Sequence, residues 1–112
     1  MLGKRTDLIQ GTLDLLILKT VAHGPIHGYG IAQQILLTSR EILQVQQGSL
    51  YPALQRMLKA GWLKSEMGLS AKNRPVRVFK LTAAGRKRLE EERLSFEKMF
   101  AGINRVLAVA QS

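Results

Sequence analysis

Cysteine is absent from the chain, which removes a disulfide framework, a thiolate metal site and a thiol nucleophile together and fits a reducing cytoplasm. No apolar run approaches the roughly 20 residues that a membrane-spanning helix requires. Lys4 and Arg5 precede an apolar stretch, but Asp7, Gln10 and Asp14 interrupt it and no small-residue cleavage site follows. The segment is therefore read as a mature helix of a soluble protein and not as a secretion signal. There is no internal repeat and no low-complexity segment. Acidic residues are scarce in one region: from residue 56 to 88 Glu66 stands alone against ten Lys or Arg, while the rest of the chain balances at seven and seven. The whole net charge of +9 thus falls in one third of the sequence. That is expected when one face meets a polyanion, although a solvated basic surface would give the same count.

What is present is enough for one modest core. The 112 residues are 46% apolar and 22% charged, an ordinary globular composition too short for two independent cores. Over residues 5–22, Leu8, Ile9, Leu13, Leu15, Leu16, Ile17, Leu18 and Val21 cover most of a helix circumference, which predicts a helix buried on more than one side. Gly24 and Pro25 end it. A second, shorter helix follows His27 and Gly28, with Ile31 and Ile35 inward, and fades at Thr38 and Ser39. Residues 40–47 read as a connector. In a third helix Leu50, Leu54, Met57 and Leu58 recur at helical spacing, with Ser49 as its cap, Pro52 in its first turn and Gly61 as its stop. Residues 62–67 and 76–81 read as strands. The glycine, asparagine and proline of residues 68–75 mark a long hairpin loop between them. Thr82 then caps a long helix reaching about residue 109.

That last helix carries Leu89, Phe96, Ile103 and Ala110 seven residues apart, with Met99, Phe100, Val106 and Leu107 between them. The repeat is that of a short coiled coil, so Leu89, Phe96, Met99, Phe100, Ile103, Val106 and Leu107 are the candidate dimer contacts; the alternative is a helix folded back on its own domain. The predicted fold is mainly α with a small β-hairpin. Residues 1–82 form a winged helix-turn-helix domain, and residues 83–112 a dimerisation helix.

The stretches LIQGTLDLLILKTV, HGYGIAQQI, GSLYPALQRMLKAGWL and FKLTAAGRKRL closely resemble the PadR-like transcriptional regulators, over nearly the whole chain. The resemblance implies a homodimer held by the last helix together with the first, acting as a repressor on a partly palindromic operator and released by a small hydrophobic or aromatic effector. The single C-terminal helix matches the short members of the family. It holds no tryptophan, only Phe96 and Phe100 as aromatics, which departs from a drug pocket built on stacked indoles.

In such a motif the third helix enters the major groove with its N-terminal residues nearest the bases. Gly48, Ser49, Tyr51, Pro52 and Gln55 are accordingly placed at the groove. Gln55 suits adenine, the backbone N–H groups of Gly48 and Ser49 suit a phosphate, and Arg56 and Lys59 grip the backbone. Lys72, Asn73 and Arg74 reach the minor groove or its phosphates. Arg77 either joins them or lies over the core. Residues 86–88 pair with Glu90, Glu91 and Glu92 at helical spacing or face DNA, and Lys4 and Arg5 are further DNA candidates. Trp62 reads as a core anchor. His23 and His27 flank a helix break, so no metal pair is expected, and neither a cofactor nor a catalytic constellation is read. The competing reading is a non-specific or architectural nucleic-acid binder; a module that lies on membrane surfaces through its last helix is a third.

Overall fold

The computed structural model describes residues 10–110; Lys4 and Arg5 lie outside them. Helix α1 (Gln10–Ala22) buries Leu13, Ile17, Leu18 and Val21, which occupy more than one side of the helix as the apolar density predicts. After Gly24, at a φ of 148° that only glycine adopts readily, and Pro25, the chain forms the two-residue strand β1 (Ile26–His27). No alternation two residues long could reveal this strand in a sequence. His27 also starts α2 (Gly28–Thr38), its Nδ1 accepting the N–H of Gly30 at 3.1 Å. Ile31 and Ile35 point into the core.

The connector from residue 39 to 46 buries Val45 and holds two successive residues in the left-handed region, Arg40 at 56° and Glu41 at 64°. Such conformations persist only where the surroundings enforce them. Here the Glu41 N–H donates to the Leu36 carbonyl at 2.7 Å, and the Leu43 N–H to the Ser39 hydroxyl at 2.9 Å.

Helix α3 (Gln47–Ala60) begins earlier than its apolar spacing suggested. The expectation that Ser49 caps it is corrected: Gln46 is the cap, with no side-chain bond, and the Ser49 N–H already donates to the Gln46 carbonyl at 3.0 Å. Pro52 consequently lies beyond the first turn, where its ring deletes the N–H that would reach Gly48. Both residues are exposed, so water can satisfy the orphaned carbonyl. Leu50, Ala53, Leu54 and Met57 face inward. Gly61, at φ 82°, ends the helix in a Schellman arrangement: its N–H reaches the Leu58 carbonyl and that of Trp62 the Met57 carbonyl.

Strands β2 (Leu63–Leu69) and β3 (Pro75–Leu81) are antiparallel. Because β1 pairs with β3 through Ile26 with Phe79 and His27 with Val78, the predicted hairpin is in fact a three-stranded sheet of order β1-β3-β2. Leu63 and Phe79 carry it onto the helices. The long loop expected at residues 68–75 is a short turn, since Gly68, Leu69 and Pro75 all remain in register. Asn73, at φ 61°, closes it.

Helix α4 (Ala83–Leu107) starts as expected at Thr82, whose hydroxyl accepts the Gly85 N–H at 2.9 Å and contacts the carbonyls of Gly61 and Trp62. Its first half packs on the domain. Leu89, expected among the dimer contacts, is partly buried at the core margin of its own domain, and Ser95, Phe96 and Met99 border α1 at Gly11, Thr12 and Leu15. Beyond that the helix leaves the domain, so the folded-back alternative describes only half of it. The described residues span 61 Å along their longest axis and 20 Å along their shortest.

Candidate nucleic-acid interface

The outward side of α3 is free. Gln47, Gly48, Ser49, Tyr51, Pro52, Gln55 and Lys59 are all exposed, because the apolar residues at helical spacing turn the opposite side into the core. The Tyr51 ring is set by α2: a Cβ at Gly28 would stand 3.1 Å from the ring and 3.2 Å from its hydroxyl. A larger residue there would push the ring outward by a few tenths of an ångström. Between α3 and the wing runs a groove of about 300 Å³ lined by His27, Gly28, Tyr51, Gln55, Arg77 and Phe79. Arg77 is exposed and gives one N–H to the Ser65 hydroxyl at 2.9 Å. It borders this groove and does not lie flat over the core.

The wing tip is rigid for its length. The Ser70 hydroxyl accepts the N–H groups of Lys72 and Arg74 at 3.2 and 3.1 Å, and the Ser70 carbonyl accepts that of Asn73 at 2.8 Å. The side chains of Lys72, Asn73 and Arg74 therefore stand outward, all exposed. Among the described residues, Lys59, Lys72, Arg74 and Arg77 take part in no ion pair. Lys80 is held by Glu66, whose carboxyl lies below its ordinary pKa through that hydrogen bond and charge.

Arg56 does something else. Its guanidinium makes a bidentate pair with Asp14 of α1, at 2.8 and 3.0 Å, and that hydrogen bond raises its pKa above the ordinary value. The Asp14 side chain is only 8% exposed, and among the described residues Arg56 is its side-chain partner. Arg56 thus forms a strut between α1 and α3, a structural role that its expected phosphate grip did not include. An acid at position 14 inside a run of leucines was the available signal, but the 42 residues separating the pair hid its partner. Replacing Arg56 with Met should lower stability by about 2 kcal/mol, less than for a fully buried pair because the arginine is partly exposed. Chemical denaturation measures that loss, while the salt dependence of DNA binding should not move. Arg74→Ala should instead leave stability alone and reduce that salt slope by about one.

In residues 86–88, Arg88 pairs with Glu92 at 2.6 Å and lies 4.7 Å from the centre of the Trp62 ring. It ties α4 to the tryptophan that anchors the wing, and the intrahelical pairing read from the sequence holds for this arginine. Glu90 turns to Arg93 instead, at 2.6 Å.

At the far end of α4, Phe100, Ile103, Val106 and Leu107 are exposed. The rings of Phe96 and Phe100 are stacked, with centroids 5.8 Å apart. Among the described residues no group of three potential metal ligands comes together, and no helix is long and apolar enough to cross a membrane.

Comparison with known proteins agrees with this geometry. A transcriptional regulator of Mycobacterium tuberculosis is 36% identical over 85 residues, covering 76% of this chain and 76% of its own. The solved structure of a transcriptional regulator from Clostridium thermocellum superposes with a TM-score of 0.80 at 28% identity, covering 89% of this chain and 97% of that one. A PadR-like regulator from Bacillus cereus shares the fold, with a TM-score of 0.77 at 24% identity over 90% of this chain and 96% of its own. The model of the transcriptional regulator PadR-like family matches residues 17–91. With the winged-helix arrangement and the long C-terminal helix described above, that match over two thirds of the sequence places the chain in the PadR-like family of transcriptional regulators.

Proposed function

We propose that the chain is a sequence-specific repressor that binds a partly palindromic operator as a homodimer. The observation that carries the reading is the free outer side of α3, with Ser49, Tyr51, Gln55 and Lys59 exposed beside a wing whose Lys72, Arg74 and Arg77 form no ion pair among the described residues. The nearly four turns of α3 fit the major groove, and Gln55 can read adenine through two hydrogen bonds. The Gly48 N–H, in the first turn of α3, suits a phosphate oxygen, and Lys59 with the wing cations supplies backbone contacts. The unpartnered end of α4 supports dimerisation, with Phe96, Met99, Phe100, Ile103, Val106 and Leu107 as the contacts. Release by a small hydrophobic or aromatic molecule belongs to the same proposal, and the stacked Phe96 and Phe100 offer such a molecule a flat apolar surface.

Selection from a pool of random duplexes tests this. Enriched sites should contain a two-fold repeat with half-site centres about 34 Å apart, bound about a thousandfold or more tightly than random DNA at moderate salt. Gln55→Ala should lose about tenfold on the selected operator and almost nothing on random duplexes. Equal affinity for all duplexes in the unmodified protein would favour the architectural reading, which rests on the localised charge alone.

A further inference from the structure

The side of the wing that faces the α3 groove continues outward past the core with side chains that cover nothing. Residues paired across antiparallel strands share a face. Met67 pairs with Arg77 and Leu69 with Pro75, so these four extend the row that begins with Ser65 and Phe79. Its inner end is built into the molecule, since Phe79 is buried. Its outer end is not: Met67 is 62% and Leu69 66% exposed. Arg77, in the same row, borders the groove beside Tyr51 and Gln55, which puts the row on the side that α3 presents. Cations that form no ion pair among the described residues frame it, with Arg77 at the base and Lys72 and Arg74 at the tip.

A narrow apolar ridge set between cations matches one partner well. Phosphates on both sides of a DNA minor groove satisfy the cations, while methionine, leucine and proline side chains are of the kind that wedge between base steps and kink the duplex. We propose that Met67 and Leu69, backed by Pro75, enter the minor groove flanking each half-site, partly unstack one base step and bend the operator. The inference rests on the DNA-binding reading above and adds a source of specificity to it. Pyrimidine–purine steps yield most easily, so the sequence under the wing is selected by its deformability, without base hydrogen bonds.

The test uses the whole chain and an operator obtained by selection, with 2-aminopurine at the flanking step and a fluorophore pair at the duplex ends. The unmodified protein should bend the duplex by at least about 20° per inserted step and raise the 2-aminopurine signal. The double variant Met67→Ser, Leu69→Ser changes only exposed side chains, and its melting temperature checks that it folds. It should keep specific binding while losing most of the bend and the signal. Replacing the flexible step with a stiff one should cost the unmodified protein about tenfold in affinity and the double variant less than about twofold. Equal bending by both proteins, or an unbent operator under specific binding, overturns the wedge alone. Absence of any sequence preference in the unmodified protein overturns the DNA-binding reading first and the wedge with it.

Discussion

Ile103→Glu should turn a dimer into a monomer and weaken operator binding by about 10²–10⁴-fold. Ile103 is 47% exposed, and Phe100, Val106 and Leu107 beside it are more exposed still. Burying such a side chain stabilises by about 1.5–3 kcal/mol, and a two-fold seam counts each position twice. A carboxylate placed in that seam must be desolvated with no cation to meet it. The loss at the operator follows from linkage: two recognition helices on one particle bind the second half-site at high effective concentration, and a monomer forfeits that advantage. Light scattering reads the mass and a binding isotherm reads the affinity. An unchanged dimer would show that the two copies meet elsewhere.

Gly85→Ala should cost about 3 kcal/mol of stability and lower Tm by more than about 10 °C. Gly85 lies in the first turn of α4, where that helix rests on the chain leaving α3. An added Cβ would stand 2.0 Å from the Trp62 carbonyl oxygen and 2.8 Å from Leu81 Cδ1. The carbonyl cannot retreat, because it accepts the Thr82 N–H at 3.1 Å and contacts the Thr82 hydroxyl at 3.0 Å. Either those bonds break or α4 moves away from Trp62, carrying Arg88 and the rest of the helix with it. Gly48→Ala is the comparison. A Cβ there meets nothing within 4 Å, so thermal melting without DNA should stay within about 1 kcal/mol of the unmodified protein. Equal melting of the two variants would mean that the contact of α4 with Trp62 is not tight.

Helical spacing exposed most of the architecture in advance. Leu50, Leu54 and Met57 turn α3 as their periodicity required, and the side left over is the proposed DNA-reading side. Thr82 and Gly61 terminate their helices as their chemistry required, since a hydroxyl can cap and a glycine can take a positive φ. The misplacements have local causes. Ser49 reads as a cap because serine often is one, yet α3 starts at Gln47 with no side-chain cap. Gly68 and Pro75 read as loop, although pairing along the hairpin keeps both in the ladder. The histidine cap of α2 and the two-residue strand β1 leave no periodic trace at all.

By itself the sequence determined the order of elements apart from β1, which side of each helix turns inward, and that the basic surplus falls on the third helix, the wing and the start of the fourth. Those properties follow from neighbours three, four or two residues apart, within reach of local patterning. Only the folded chain decided that Arg56 holds Asp14, that Tyr51 rests on Gly28, that Gly85 must admit the Trp62 carbonyl, and that Met67 and Leu69 line up with Arg77. Each of those depends on atoms brought together from distant or differently paired segments, and distance along a chain does not encode distance in space.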